Sequence, residues 1–534
     1  MPVAVSFPGV YVEELPSGVR TITGVATSIT AFIGRAAMGT DDPTTINSFG
    51  DFERRFGSID PAYPMSYSVR DFYQNGGAQA VIVRLYKKKS GDGINEWAKL
   101  SRGALDLQAA SRGSWANALR IRVDDKVSAD IATRYGLAAA DLFNLTVRNS
   151  TTGAMETFLN VTVKESPRRI DRVLANESAM LRVASTTTLP GTAVPAKQAD
   201  TPVAGKTIWT DDATSTGVAT ADQGSDSDPL DSATYQGSDA NKTGIFALRK
   251  TDLFNLLCIP PDTREGDTDK AVYASALVFC VQRRAMLIVD SPAAWKSAND
   301  IVTNNNAALT ALALNGEAAR NAALFFPRII EPDPKRDGQL DVFAASGAIA
   351  GLMARTDTNR GVWKAPAGVD AAISGVQGLS VSLTNEENGQ LNPQGVNCLR
   401  SFPIIGSVAW GARTMRGADL LADEYKYIPV RRTALYIEES LYRGLQWVVF
   451  EPNDEPLWAQ IRLNAGAFMH NLFRQGAFQG SSPRDAYFVK CDKETTTQND
   501  INLGIVNVVV GFAPLKPAEF VIIKLQQMAG QIDV

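Results

Sequence analysis

Histidine is almost missing from this chain: its 534 residues contain one, His470. A Ser-His-Asp or Cys-His site would have to use it, and no GxSxG elbow accompanies it, so His470 reads as a surface or interface residue. Cysteine is nearly as scarce. Cys258, Cys280, Cys398 and Cys491 are far apart with no CxxC pair, which argues for reduced thiols rather than zinc or a disulfide framework. HExxH and EF-hand loops are missing as well, so neither a metal nor a cofactor is expected. No sign of charge dominates: 53 basic against 57 acidic residues leave a net −4, without the basic excess that nucleic-acid binding leaves in a sequence. Lys87–Lys89 is the one basic run, read as a solvated strand end. Apolar runs fall well short of the ~20 residues of a membrane helix. The opening MPVAVSFPGVYVEE has neither the basic nor the long apolar region of a signal peptide. The expectation is a soluble cytoplasmic protein without direct membrane insertion and without enzymatic activity.

What is present is enough apolar material, 45% of residues, for two to four domains. Gly24–Gly39 reads as a strand and turn, Thr44–Gly57 and Tyr67–Gly77 as short helical pieces ended by glycine, and Gln79–Lys87 as a strong β run. From Leu105 the texture turns to alternating strands (NALRIRVDD, FNLTVRNS). Ser185–Lys242, poor in large apolar residues, reads as loop-rich. Strand and helix then alternate: Asp252–Pro260, a helix over 268–283, Ala285–Asp290, a helix near 293–304, and Ala322–Ile330. Ser346–Asp357 is helical. This order predicts a mostly parallel sheet with right-handed crossovers. Thr433–Phe450 reads as a helix running into a strand. In the next segment Leu457, Ile461, Ala465, Phe468 and Leu472 recur at three or four, with Asp454 as N-cap and Pro456 in the first turn. Ala486–Asp492, Asn502–Pro514 and Ala518–Gln527 read as strands.

The predicted fold class is therefore α+β and multidomain, with an α/β core around a mostly parallel sheet. The expected divisions are an arm (1–24), the first part of the α/β domain (25–104), an inserted outward-facing β-rich and loop-rich domain (105–243), the second α/β part (244–400) and a C-terminal α+β domain (401–534). Chemistry is hard to find in it. Asp290 closes AMLIVD like the acidic motif of phosphate-loop NTPases, but AGKT (Ala204–Thr207) lacks the glycine that a phosphate loop needs. No GxGxxG follows a strand. Gly347, Ala350, Gly351 and Ala354 allow a close helix approach. Arg355, Asp357, Arg360 and Lys364 gather charge where that helix ends, as an intersubunit or structural network or simply a solvated loop. Both termini look like strand edges left uncovered, a hazard in a monomer and a means of joining in a polymer.

Several strings have a familiar order: FPGVYVEE, ITAFIGRA, FGDFERRFG, AVIVRLYK, GSWANALRIRV, LFNLLCIP, GLMARTDTNRGVWKAPAG, RGLQWVVFEPNDEPLW, and AYFVKCDKETT with DINLGIVNVVVGFAPLKPAEFVIIKLQQ. Together they resemble the contractile tail sheath proteins of phage tails and phage-tail-like injection systems, leaving only about 120–243 unplaced. The resemblance implies a structural subunit that forms hexameric rings stacked helically around an inner tube, metastable until a baseplate triggers contraction. Partners would be further copies of itself, the inner tube protein, and baseplate and tail-terminator or cap proteins. Assembly would occur in the bacterial cytoplasm, and no ATP would be consumed in firing. Carried over, Val10, Tyr11, Val12 and Glu13 fall in a donated N-terminal arm and Phe520, Val521, Ile522 and Ile523 in an exchanged C-terminal strand. Tyr487, Val489, Val508 and Val510 would belong to the accepting sheet. Arg462, His470 and Arg474 are the candidates for a tube-facing surface. Competing readings are a non-contractile self-assembling shell protein and a nucleotide hydrolase using Asp290.

Overall fold

The computed structural model describes residues 20–91, 93–185, 189–191 and 193–525. Its largest element is an eight-stranded sheet in the order β18-β17-β13-β12-β11-β1-β3-β2. Those strands are β1 (Thr30–Gly34), β2 (Thr44–Ile46), β3 (Ala80–Arg84), β11 (Leu256–Cys258), β12 (Met286–Asp290), β13 (Ala322–Phe326), β17 (Val396–Phe402) and β18 (Gly406–Ala409). The six inner strands run parallel and only the two edge strands, β2 and β18, are antiparallel. TAFIG, AVIVR, LLC, MLIVD and AALFF are buried at every position, as strands covered on both faces should be, with polar side chains only at the strand ends Thr30, Arg84 and Asp290. Successive residues alternate between faces. Ile33, Val83, Leu287 and Leu324 pack with the helix Lys270–Gln282, while Phe32, Ile82, Ile288 and Phe325 pack under Met65–Gln74 and Ser346–Arg360.

The small residues of Ser346–Arg360 do what their spacing suggests. A Cβ on Gly347 would lie 2.1 Å from the Ser68 carbonyl oxygen, and one on Gly351 would lie 2.3 Å from that of Phe72. The helices Met65–Gln74 and Ser346–Arg360 therefore meet backbone to backbone.

Between β3 and β11 the chain builds two further sheets. One is β10-β6-β7-β8, from β6 (Leu119–Asp124), β7 (Leu142–Asn149), β8 (Met155–Thr162) and β10 (Thr216–Gly217); the other is β4-β5-β9, from β4 (Lys99–Arg102), β5 (Leu105–Ala109) and β9 (Leu181–Val183). They enclose a core of their own around Leu107, Ile121, Leu145 and Val161. A small sheet of β14 (Ile329–Asp333), β15 (Gln339–Phe343) and β16 (Gly378–Leu379) flanks the large one, and β19 (Tyr487–Lys490) pairs with β20 (Val509–Phe512) near the C-terminus.

Several expectations need correction. β4 pairs with β5, so a boundary at 104/105 would split one hairpin, and this unit begins upstream of Lys99. β17 runs through residue 400, and the large sheet closes only with β18 at Ala409. Ala322–Ile330 is two strands in two sheets, because Pro327 has no N–H to continue the ladder. Thr44–Ile46 is an edge strand rather than the start of a helix. Thr433–Phe450 does not run into a strand. The helix Ile428–Gly444 gives way to a 3-10 turn at Gln446–Val448, and Trp447 and Val448 join the cluster around Leu457, Trp458 and Ile461.

The contact between Met65–Gln74 and β14 holds a buried charge cluster. Arg70 Nε and Nη2 donate to Asp71 Oδ1 at 2.9 and 2.7 Å, and Nη2 also reaches Glu331. Asp71 Oδ2 and Glu331 Oε1 have no donor among the described residues. One arginine cannot balance two buried carboxylates, and a proton shared between them answers the excess. Burial, then the Asp71 charge, pushes Glu331 up to about 9 against the pull of Arg70, and burial raises Asp71 as well. The folded chain thus retains a proton that the unfolded chain releases near pH 4.5. The cluster's contribution is complete below that value, falls as pH rises, and levels off above about 9. The expected slope is roughly 1.4 kcal/mol per pH unit within the window. Denaturant unfolding from pH 6 to 9.5 should show it in the wild type and a flatter profile in Glu331→Gln.

Candidate functional site

The C-terminal region is built on the helix Glu455–Arg474. Asp454 caps it by accepting the Leu457 N–H at 3.4 Å, and Pro456 occupies the first turn, where an N–H would go unused. The apolar stripe Leu457, Ile461, Ala465, Phe468 and Leu472 is entirely buried. Tyr487, Val489, Val510 and Phe512 of the β19–β20 pair lie against its second half. Three of the four expected sheet residues thus share one face. Val508 precedes β20 and packs instead against the cluster of Leu457, Trp458, Ile461 and Cys491. On the other face Phe488 and Val509 are exposed. The sheet stops at two strands among the described residues, and two strands alone are marginal in water.

Beyond β20 the chain is held at two points. Ala513 N–H donates to the Ala486 carbonyl at 2.8 Å, and the Gln479 N–H donates to the Ala513 carbonyl at 2.9 Å. Six residues later Glu519 takes a two-pronged bond from Arg413, at 2.8 Å from Nε and 2.5 Å from Nη2, with the Tyr427 hydroxyl at 3.2 Å. Arg413 is fully buried, and its Nη1 donates to the Asn392 and Gly417 carbonyls and to Asp419. Past this bond Phe520, Val521, Ile522 and Ile523 are each 75–82% exposed and Leu525 is 93% exposed. Residues 518–525, expected as a strand, form no helix or strand with the described residues, none of which offers them a backbone ladder. Residues 515–521 instead wall a cleft of about 850 Å³ whose far side carries Trp363, Lys364 and Trp410.

At the other end, Val10, Tyr11, Val12 and Glu13 lie outside the described residues. The last residues of the expected 1–24 arm belong to the body. Arg20 N–H donates to Asn464 Oδ1 at 3.0 Å, its guanidinium lies 4.6 Å from the Trp447 ring, and Ile22 is buried beside Ile437 and Phe468.

The tube-facing candidates do not share one setting. Arg462 is tied to Glu455 at 2.6 Å and to the Cys491 carbonyl. His470 and Arg474 are exposed, with His470 Nδ1 3.2 Å from the Tyr487 hydroxyl. Leu463 and Ala467, one helical turn apart, are exposed with them. Leu463 was missed because an exposed leucine has no signature in the sequence.

The four candidates for a charge network are dispersed as well, and no ion pair joins them among the described residues. Asp357 alone finds a cation, Arg432, with Nη1 at 2.8 Å and Nη2 at 2.6 Å; Thr27 donates a third bond at 2.7 Å. Arg355 reaches the Ala372 carbonyl, whereas Arg360 and Lys364 line the cleft. Asp290 is wholly committed inside the protein. Its carboxylate accepts the Ser346 N–H at 2.8 Å and hydroxyl at 2.6 Å, seating the first turn of Ser346–Arg360. Burial raises its pKa despite those two donors. Ala204–Thr207 lies in turns with no helix after it, so no helix N-terminus is offered to a phosphate. The geometry suits neither residue to nucleotide chemistry.

Two family matches decide the identity. Residues 237–415 match the phage tail sheath protein central domain, and residues 422–527 match the phage tail sheath C-terminal domain, together more than half of the chain. The chain belongs to the phage tail sheath family. The tail sheath protein of Vibrio phage KVP40 is 30% identical over 128 residues, which is 24% of this chain and only 19% of that protein. Solved sheath structures agree over far more of the fold. The anti-feeding prophage helical sheath in its contracted state matches at TM-score 0.53 and 22% identity, over 98% of this chain and all of that one. The sheath complex of an extracellular contractile injection system, PVC, also contracted, matches at 0.55 and 20%, over 98% of both chains. The sheath tail protein of Listeria innocua matches at 0.57 and 13%, over 93% and 96%. The sheath-family fold therefore extends upstream of the matched domains, through β4–β10.

Among the described residues no helix is long and apolar enough to cross a membrane, and no cluster of side chains could hold a metal ion.

Proposed function

We propose that this chain is the repeating subunit of a contractile sheath, polymerising as stacked hexameric rings around an inner tube and shortening to drive that tube through a target envelope. Its partners are other copies of itself, the inner tube protein, and baseplate and cap proteins; the assembled particle is a phage tail or a phage-tail-like machine put together in the bacterial cytoplasm. The observation that carries this reading is the exposed run Phe520–Leu525 together with a C-terminal sheet that stops at two strands among the described residues. A neighbour's sheet would supply about 4–6 backbone hydrogen bonds to such a run, each worth ~0.5–1.5 kcal/mol net. Each large side chain it buried would add ~1.5–3 kcal/mol before ordering costs. In this reading Val10–Glu13 form the second exchanged arm, Tyr487, Val489 and Val510 line the accepting sheet, and His470 and Arg474 face the tube.

Electron microscopy of the purified protein checks the proposal. Long tubes are expected, in an extended and a shorter, wider lattice. Small discrete oligomers at every salt and protein concentration would overturn polymerisation. A single invariant lattice would instead identify a non-contractile shell.

A further inference from the structure

The tail beyond β20 has two parts of opposite character, and their border is one ion pair. Arg413 is 0% exposed and its side chain makes five hydrogen bonds, two of them to Glu519, which is 106 residues away in sequence. The Arg413 backbone is fixed too, since Asn397 Oδ1 accepts its N–H at 2.6 Å and Asn397 Nδ2 donates to its carbonyl at 2.7 Å. No described residue offers Leu515–Ala518 a backbone hydrogen bond. Glu519 is thus the anchor of a strap without other backbone bonds to the described residues, and Phe520, Val521, Ile522, Ile523 and Leu525 after it are exposed.

We infer that the Arg413–Glu519 pair is a pivot that divides the C-terminal segment, keeping residues up to 519 on their own subunit while only residues from Phe520 onward pass to a neighbour. Pulling Glu519 away would leave a buried guanidinium with Asp419 as its one remaining anion, a far costlier step than swinging an exposed arm. The pair therefore positions the exchanged strand, and it fixes how many residues can enter a neighbour's sheet and from which point. This division rests on the exchange proposed above, but the pin can be tested without it.

The mobility of a nitroxide spin label on the full-length chain reads the pin directly, since the four native cysteines are buried and an added one takes the label. With Glu519 intact, a label on Ala518→Cys should move at least ~3-fold more slowly than one on Ile522→Cys. Glu519→Gln should erase most of that difference while hydrogen exchange in peptides from the large sheet stays unchanged, and Glu519→Asp, which keeps the charge, should recover part of it. Equal mobility at 518 and 522 with Glu519 intact, or an unchanged difference in Glu519→Gln, would overturn the pin. The photo-crosslinker benzoylphenylalanine at Ala518 or Ile522 then locates the division in assembled tubes. Intersubunit links from Ile522 with only intrachain links from Ala518 are expected. Intersubunit links from Ala518 would show the whole strap leaving and overturn the pivot. If Ile522 gave none, the strand-exchange reading would fail, and the pin would still stand or fall on the label mobilities.

Discussion

A chain ending at Glu519 should fold normally and form no tubes. Among the described residues the truncation removes Phe520, Val521, Ile522, Ile523 and Leu525, all 75% exposed or more, so little of the described buried surface goes with them and the thermal midpoint should move by no more than ~1 °C. Assembly, in contrast, would lose the whole of the exchanged strand. Losing even ~6 kcal/mol per subunit contact weakens it by about four powers of ten. Sedimentation and negative-stain microscopy should show only folded monomers or short oligomers at concentrations where the wild type forms long tubes. Tubes of normal length from the truncated chain would show that the apolar run is dispensable. Serine at Val521 and Ile523 should give a milder form of the same defect, with shorter tubes.

The second large effect is on stability. Asp357→Ala should leave Arg432 buried without a counter-charge, and Arg432→Ala should do the reverse. Both side chains are 4% exposed, so neither charge is rescued by water, and breaking such a pair costs ~3–5 kcal/mol. For a cooperative unit of 150–250 residues that is a fall of roughly 6–20 °C in thermal midpoint. The double replacement Asp357→Leu with Arg432→Met should lose much less than either single alanine variant, since no buried charge remains. Differential scanning calorimetry of the three variants decides it. A loss below about 1 kcal/mol in both single variants would show that the pair is solvated in practice.

Much of the fold was legible because burial leaves a record in side-chain type. Residues 286–289 and 322–326 are apolar throughout because helices cover both faces. The helix Glu455–Arg474 was readable from the spacing of Leu457, Ile461, Ala465, Phe468 and Leu472, and its start from Asp454 and Pro456. Edges were harder. The outer end of β17 carries polar and exposed residues and β18 has only Val408 and Ala409 as buried apolar residues, too short a run to mark the sheet's limit, and Val449 and Phe450 look like a strand although both are exposed. The working site was legible only in part. An exposed apolar run such as Phe520–Ile523 stands out in a sequence, whereas Arg413–Glu519 and Asp357–Arg432 join residues 106 and 75 positions apart. No local pattern identifies which arginine will be buried, or by which carboxylate.

Both ends of the described chain are rooted in the same place. Arg20 and Ile22 rest on the helices Glu455–Arg474 and Ile428–Gly444, and the tail leaves from the strands packed against the first of them. Tension carried through a stack of subunits joined by these tethers would run in at one end of this unit and out at the other. The sheets built from β4 to β10 have a core of their own and hold neither tether. In the proposed stack, that part of the molecule could change its size and surface without disturbing the girder between the tethers.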